Sequence, residues 1–274
     1  MNEMTPGTGQ EGNVDSMQQT IQMLQKYNIK LTHTGLNKLV DEPGRFNDFS
    51  RSACGILYDY SRVGIDAKAM QELHKLAQQA DVAGWRERQF SGKSVNGTEN
   101  RPAMHMALRM PELHQHLPEG DAVRLQEAQV AMMKLAECFH RHELPGGGEV
   151  RNIIHVGIGG SLLGTRLLCE ALGPGDGPSI HFVGSVDAHR REQLMRQLDP
   201  ATTVVILVSK SFGTPDTLIH GKRLRSWLVE SLGDKADERM FAVSGSVEKA
   251  EEQGVSAKRV LYLPDWVGGR YSLW

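Results

Sequence analysis

The chain has 274 residues, with 31 lysines and arginines against 33 aspartates and glutamates, and its formal net charge is −2 when the histidines are neutral. Proteins that bind nucleic acid or an anionic membrane surface usually carry an excess of basic residues, and this chain has none. Hydrophobic residues make up 39% of the chain, which is enough for a buried core. The longest apolar stretches, such as residues 204–208, are far shorter than the roughly 18 residues that cross a bilayer. We therefore expect a soluble globular protein with one large domain or two small ones.

The N-terminus and the cysteines both favour a cytoplasmic location. Residues 1–13 are polar and glycine-rich, without the apolar core of a secretory signal. Cys54, Cys138 and Cys169 form an odd set without C-x-x-C spacing. Such a set fits reduced thiols in a cytosol better than a disulfide framework or a zinc site.

The first half of the chain predicts a mostly helical region. The spacing of apolar residues predicts helices over about 15–27, 66–89 and 121–142, and one strand over about 49–60. Residues 145–148 combine a proline with three glycines between two periodic regions, which marks a boundary. We expect residues 1–148 to form a helical N-terminal region and residues 149–274 to form a second domain.

Short apolar runs alternate with helical stretches after this boundary. The predicted strands are 152–156, 180–183, 203–208, 240–243 and 260–263, and the predicted helices are about 162–172, 189–198, 215–232 and 246–253. Alternation of this kind predicts right-handed βαβ units, and thus an α/β domain with a five-stranded parallel sheet covered by helices on both faces. In the flavodoxin-like strand order 2-1-3-4-5, ligands bind beyond the carboxyl ends of the first and third strands.

The first predicted strand leads into a glycine-rich loop, residues 157–164, with the sequence G-I-G-G-S-L-L-G. Glycines let the backbone turn sharply and expose its amides, and Ser161 adds a hydroxyl where a helix dipole favours an anion. A dinucleotide G-x-G-x-x-G motif would need glycine where Leu162 stands, and a P-loop would need lysine where Thr165 stands. We interpret the loop as a phosphate cradle of another kind, with a tight turn needed only for packing as the alternative.

A second polar loop follows the third predicted strand. Ser209, Ser211 and Thr214 provide three hydroxyls beside Lys210, and Pro215 after Thr214 predicts a helix that starts with a threonine N-cap. The amides and dipole at such a start add to a phosphate site. The alternative is plain helix capping beside a solvated lysine.

Arg270 follows two glycines just past the fifth predicted strand. Gly269 permits a close backbone approach to a ligand, and a guanidinium is a suitable donor to an oxyanion or a phosphate. A surface salt bridge is the alternative role for this arginine. We expect no metal site, because the histidine pairs at 114 and 116 and at 140 and 142 lack partners at a recognised ligand spacing.

Taken together, these segments resemble the phosphoglucose isomerase (glucose-6-phosphate isomerase) family. Residues 157–164 resemble its G-I-G-G-S-x-L-G loop, residues 209–217 its S-K-[ST]-F-x-T-x-[DE]-T loop, and residues 265–272 its signature D-W-V-G-G-R-Y-S. Residues 96–109 are similar to N-x-[TS]-E-x-R-x-x-x-H-x-A-L-R, and residues 49–61 to the strand that precedes it in bacterial members. Thr165, Gly213 and Pro215 depart from the family pattern.

The resemblance implies a cytoplasmic enzyme of glycolysis and gluconeogenesis that interconverts glucose 6-phosphate and fructose 6-phosphate without a cofactor. It also implies two sugar-isomerase (SIS) domains in a full-length member, which would be a homodimer. The residues that it implies are Ser209, Lys210, Ser211 and Thr214 around the phosphate, Gly160, Ser161 and Gly269 around the sugar, and Arg270 to stabilise charge on the enediolate. No nucleic-acid or membrane partner is implied.

The resemblance also implies residues that this sequence lacks. Aldose–ketose isomerisation moves a proton between adjacent carbons and needs a general base, which in this family is a glutamate in a G-E-S segment. That segment, a histidine segment of the G-T-N-x-Q-H type and a C-terminal lysine are all absent. We therefore expect the N-terminal portion of a bacterial-type isomerase, inactive by itself. The alternatives are a non-catalytic sugar-phosphate sensor built on one SIS domain and, disfavoured by the glycine loop, a nucleotide-dependent oxidoreductase.

Overall fold

The computed structural model describes residues 8–173, 175–185 and 187–271. The chain forms two compact units that are divided between Glu87 and Arg88. The boundary expected between residues 148 and 149 lies inside the second unit and stays a prediction about where the SIS domain begins. Within the described residues, no helix is both long enough and apolar enough to cross a membrane.

The first unit is mostly helical, as the sequence predicts. Its elements are α1 (Thr8–Thr34), α2 (Leu36–Val40), α3 (Arg45–Asp48), β1 (Ser50–Ala53), β2 (Ile56–Asp59) and α4 (Ala67–Gln79), and α5 (Val82–Phe90) crosses the division. Leu31, Leu39 and Ala69 form its small buried core.

Two predicted elements of this region are each broken by a residue with a positive φ angle. The single strand expected over 49–60 is an antiparallel hairpin of β1 and β2, because Cys54 and Gly55 turn the chain with φ angles of 51° and 76°. The helix expected over 66–89 is interrupted between α4 and α5, where Asp81 has a φ of 52°. A right-handed helix requires a negative φ at every residue, so it cannot continue through this position.

The second unit is built on a five-stranded parallel sheet. Before the sheet lie two 3₁₀ turns (His105–Leu108 and Pro111–His116) and α6 (Asp121–His140). The strands are β3 (Asn152–Val156), β4 (Ser179–Val183), β5 (Thr203–Val208), β6 (Met240–Ser244) and β7 (Val260–Tyr262), and the helices between them are α7 (Gly160–Leu172), α8 (Ala188–Gln197), α9 (Pro215–Leu232) and α10 (Val247–Glu251).

The order of the strands is β4-β3-β5-β6-β7, which confirms the flavodoxin-like order that the sequence predicts. Strands β3 and β5 are central, and Ile154, Val205 and Leu207 on them are fully buried. Nearly continuous buried runs of this kind are typical of parallel strands with both faces covered. Val156 at the end of β3 is paired with Leu207 near the end of β5, so the loops that follow these strands begin side by side.

Asp121 fastens α6 to β7 and to the residues after it. The Tyr262 hydroxyl donates to one carboxylate oxygen at 2.9 Å, and the indole N–H of Trp266 donates to the other at 2.8 Å. Asp121 is 9% exposed and Trp266 is 3% exposed, so water does not replace these bonds freely. Burial, together with the hydrogen bond and charge of Asp121, raises the pKa of Tyr262 to about 12.

A buried histidine lies in the centre of the sheet. The Nε2 atom of His155 on β3 is 2.7 Å from the carbonyl oxygen of Ser161. A carbonyl only accepts hydrogen bonds, so this ring nitrogen carries the proton. Burial lowers the pKa of His155 from its ordinary value of 6.5, and this outweighs the opposing effect of the hydrogen bond. Burial also lowers the pKa of His105 and of His181, whose pKa is further lowered by the Arg190 charge.

We predict that Asp121→Asn lowers the free energy of unfolding by about 1.5–3 kcal/mol. The amide NH2 that replaces one carboxylate oxygen cannot accept a hydrogen bond, so a buried N–H or O–H loses its partner. Urea denaturation measures the change. Glu127→Gln, an exposed charge removal on the same helix, is the matched control. Equal unfolding midpoints for the two variants would contradict this role of Asp121.

We also predict that stability falls as the pH drops below about 6.5. Because the pKa of buried His155 is lower in the folded chain than in the unfolded chain, the unfolded chain binds more protons in this range. His155→Gln keeps an amide donor that does not titrate, so it should reduce the pH dependence of stability. Urea unfolding midpoints measured at several pH values around and below 6.5 test this. An unchanged slope would show that His155 does not contribute.

Candidate active site

Three loops follow β3, β5 and β7 at the carboxyl edge of the sheet. We call them the glycine loop (residues 157–164), the serine loop (residues 209–214) and the signature loop (residues 265–271). All three belong to the second unit. The helices α7 and α9 begin at this edge, so their positive dipole ends and amide groups lie beside the loops.

The glycine loop and the signature loop approach each other through backbone alone. Gly159, before the first residue of α7, has a φ of 54° and a ψ of −119°, a conformation that favours glycine. A Cβ atom added at Gly160 would overlap the carbonyl oxygen of Gly269. Only glycine permits this contact, which brings together two residues that the sequence predicts for the sugar site.

Hydrogen bonds within the serine loop and to β6 hold its backbone. The Ser209 hydroxyl accepts a hydrogen bond from the Phe212 amide at 3.1 Å, and the Ser209 amide donates to the carbonyl of Val243 at 3.1 Å. Phe212 has a φ of 45° and buries its ring in the main core. Ser209 therefore shapes the loop from inside.

Thr214 and Ser211 lie on the outside of the loop. Thr214 occupies the N-cap position of α9 and Pro215 the first helical position, as the sequence predicts. The Thr214 hydroxyl does not make the expected capping bond, and no other described side chain caps this helix. Ser211 is exposed and Thr214 is half-buried. Both residues thus have accessible surface beside the start of α9.

Lys210 joins the serine loop to the signature loop. Its ammonium donates to the carbonyl oxygen of Asp265 at 3.2 Å, and Arg101 donates to the same oxygen at 3.1 Å. The Met104 amide donates to the carbonyl of Trp266 at 3.3 Å. Residues 101–104 therefore hold the signature loop in place. In the sequence, only the resemblance of their segment to the family motif pointed to a role for these residues.

Arg270 is exposed on a 3₁₀ turn, Gly269–Tyr271, at the end of the described chain. The neighbouring ring of Tyr271 stacks on the His105 ring, with centroids 4.7 Å apart and planes 13° apart. This stacking fixes the turn that carries the guanidinium.

A cavity of about 630 Å³ opens between α6 and the sheet, next to the loops. Of the predicted site residues, Gly160, Ser161, Lys210 and Gly269 line it, whereas Ser209, Ser211, Thr214 and Arg270 do not. Most of the remaining lining is apolar and comes from α6, β5 and the chain around β7, including Leu125, Met132, Ile206, Val208, Tyr262 and Val267. None of the described residues that line the cavity is an aspartate or a glutamate.

The site suits an anionic ligand better than a metal ion. Lys210 lines the cavity, and the carboxylate of Asp265 in the signature loop is paired with Arg101 at 3.7 Å. Two helices also begin at this edge of the sheet, where their amides and dipoles favour an anion. Among the described residues, no group of three or more histidine, cysteine or acidic side chains could hold a metal ion.

Two relatives of similar sequence are named as isomerases and are about twice as long as this chain. Residues 59–274 match the family model for phosphoglucose isomerase. Glucose-6-phosphate isomerase from Bartonella quintana is 40% identical over 241 residues, which cover 86% of this chain and 43% of that protein. The corresponding protein from Shewanella loihica is 37% identical over 241 residues, covering 85% of this chain and 44% of its own.

A solved structure of a glucose-6-phosphate isomerase from Chlamydia trachomatis shares the fold. It superposes with a TM-score of 0.74 at 24% identity and covers 92% of this chain and 49% of that chain. The chain thus spans about half the length of the relatives that it matches. Since the family model extends over most of its sequence, the chain belongs to the phosphoglucose isomerase family.

Proposed function

We propose that this chain carries the sugar-phosphate-binding part of a glucose-6-phosphate isomerase, which interconverts the aldose glucose 6-phosphate and the ketose fructose 6-phosphate. One observation carries the proposal. The glycine loop and the serine loop begin side by side at the ends of β3 and β5, where two helices direct their N-termini at one edge of the sheet.

In this proposal, the serine loop binds the phosphate. The hydroxyls of Ser211 and Thr214 lie at the start of α9, and neither caps that helix. Pro215 has no amide hydrogen, so the amides of the next residues complete the site. Lys210 contributes positive charge, and Ser209 keeps the loop in shape through its bond from Phe212.

The sugar would occupy the part of the cavity lined by Gly160, Ser161 and Gly269. A volume of about 630 Å³ is within the ordinary range for a small-molecule site. Arg270 would stabilise the negative charge of the enediolate, since a guanidinium is a permanent cation with several donors. The reaction needs neither a cofactor nor a metal ion in this scheme.

The proton transfer itself needs a general base that these residues do not include. No carboxylate is found among the described residues lining the cavity, and the sequence has no G-E-S segment. The base, the ring-opening histidine and the lysine expected from the family resemblance would have to come from further polypeptide. The proposal extends to a cytoplasmic homodimer that acts in glycolysis and gluconeogenesis without a nucleic-acid partner. The relatives are named as isomerases, which disfavours the alternative of a non-catalytic sugar-phosphate sensor.

We predict that replacing both Ser211 and Thr214 with alanine weakens binding of fructose 6-phosphate by about tenfold or more, because charge-assisted hydrogen bonds to the phosphate are lost. Calorimetric titration compares the variant with the unchanged chain. Ser226→Ala, an exposed serine further along α9, is the matched control. Equal affinities for all three proteins would contradict the assignment of the serine loop.

We further predict that residues 1–274 alone do not turn over fructose 6-phosphate. A positioned general base accounts for roughly 10² to 10⁴ in rate, and charge stabilisation by Arg270 leaves the carbon-bound proton in place. A coupled assay measures conversion, with protein prepared from a host that lacks its own isomerase. The Bartonella quintana enzyme serves as the active control. Turnover above the blank would reveal a base that the proposal does not contain.

A further inference from the structure

The end of β6 and the residues that follow it hold the backbone of the serine loop. The Gly245 amide and the Ser244 hydroxyl both donate to the carbonyl oxygen of Lys210, at 3.0 and 3.2 Å. The ammonium of Lys249 donates to the carbonyl oxygen of Ser211 at 3.2 Å. None of the three donors belongs to a motif that the sequence predicts for the site.

These bonds fix the direction of the amides in the loop. In a trans peptide group, the C=O and the N–H point in opposite directions. Because the carbonyl of Lys210 points at the turn after β6, the amide of Ser211 in the same peptide group points away from that turn. In the next group, Lys249 binds the carbonyl of Ser211 while the amide of Phe212 donates to Ser209. Both peptide groups are therefore fixed at two points or more.

The support behind the loop is itself well ordered. Ser244 is 1% exposed, and its hydroxyl also accepts a hydrogen bond from the Ser246 amide at 3.1 Å. A Cβ atom at Gly245 would lie 3.0 Å from the carbonyl oxygen of Leu263 and 3.2 Å from that of Lys210, a closeness that favours glycine. The Ser246 hydroxyl caps α10 by accepting from the Lys249 amide at 3.3 Å.

Lys249 differs from the other two donors because it is exposed. An exposed lysine adds little to the stability of a fold, so its contact with the serine loop can be removed without unfolding the chain. We propose that Lys249 is a positioning residue of the phosphate site. Its ammonium holds the peptide group after Ser211, as the bonds to the Lys210 carbonyl hold the group before it, and Ser211 is thereby placed to meet the phosphate with its hydroxyl and amide. This inference rests on the proposed function of the serine loop.

Lys249→Met tests the inference, because methionine keeps the length of the side chain but cannot donate. Calorimetric titration with fructose 6-phosphate should show binding weakened by about 3- to 10-fold, the effect of losing one hydrogen bond to a positioned group. Lys249→Arg, which retains a cationic donor, should restore affinity to within about twofold. Lys258→Met, an exposed lysine before β7, is the matched control and should bind like the unchanged chain. All four proteins should have the same urea unfolding midpoint.

Each other result overturns a defined part of the account. If the unchanged chain binds and Lys249→Met binds equally well, or if arginine fails to restore affinity, the role of Lys249 is wrong and the proposed function stands. A lowered unfolding midpoint for Lys249→Met, in step with its affinity, would show a merely structural residue. Absence of binding by the unchanged chain would contradict both the proposed function and the role of Lys249.

Discussion

The carboxylate of Asp121 is the interaction on which the site in the second unit depends. It stands at the first turn of α6 and accepts hydrogen bonds from Tyr262 on β7 and from Trp266 in the signature loop. A single buried group thereby fixes a helix, an edge strand and a loop that are far apart in sequence. Because α6 and the chain around β7 both line the cavity, these two bonds join two of its walls.

The parallel sheet imposes the second constraint. Its strand order brings the ends of β3 and β5 together, so two loops separated by about fifty residues share one edge. Backbone contact then sets the fine spacing, since Gly160 and Gly269 approach more closely than side chains would allow. The cations that complete the edge are held by carbonyl oxygens, as Lys210 is by Asp265. The same glycines and polar loops therefore determine both the spacing of the loops and the polar groups that face a ligand.

The sequence predicted the sheet well because its signals are local. The apolar runs of the strands and the spacing of the helices between them are short-range patterns, and the chain connectivity then restricts the strand order. Local breaks were harder to predict. The hairpin over 49–60 depends on a positive φ at Cys54, and cysteine is not a residue type that predicts a turn. The break in the helix over 66–89 depends on a positive φ at Asp81.

The parts of the site that could not be predicted are held by long-range contacts. Asp121 is 145 residues from Trp266, and nothing in its own neighbourhood marks it as a partner of an indole. The inward use of the Ser209 hydroxyl is also invisible in the sequence, because the same residue type suits both a ligand contact and a turn. Lys249 likewise lies on α10, outside every motif that the sequence predicts for the site.

The central claim is that a sugar phosphate binds with its phosphate at the serine loop. Titration of the ¹⁵N-labelled chain with fructose 6-phosphate, followed by nuclear magnetic resonance, tests it most directly. The account predicts that the amide signals of Ser211, Asp216 and Thr217 shift the most, while those of α4 in the first unit stay unchanged. Shifts concentrated away from the serine loop, or none at saturating ligand, would contradict the account.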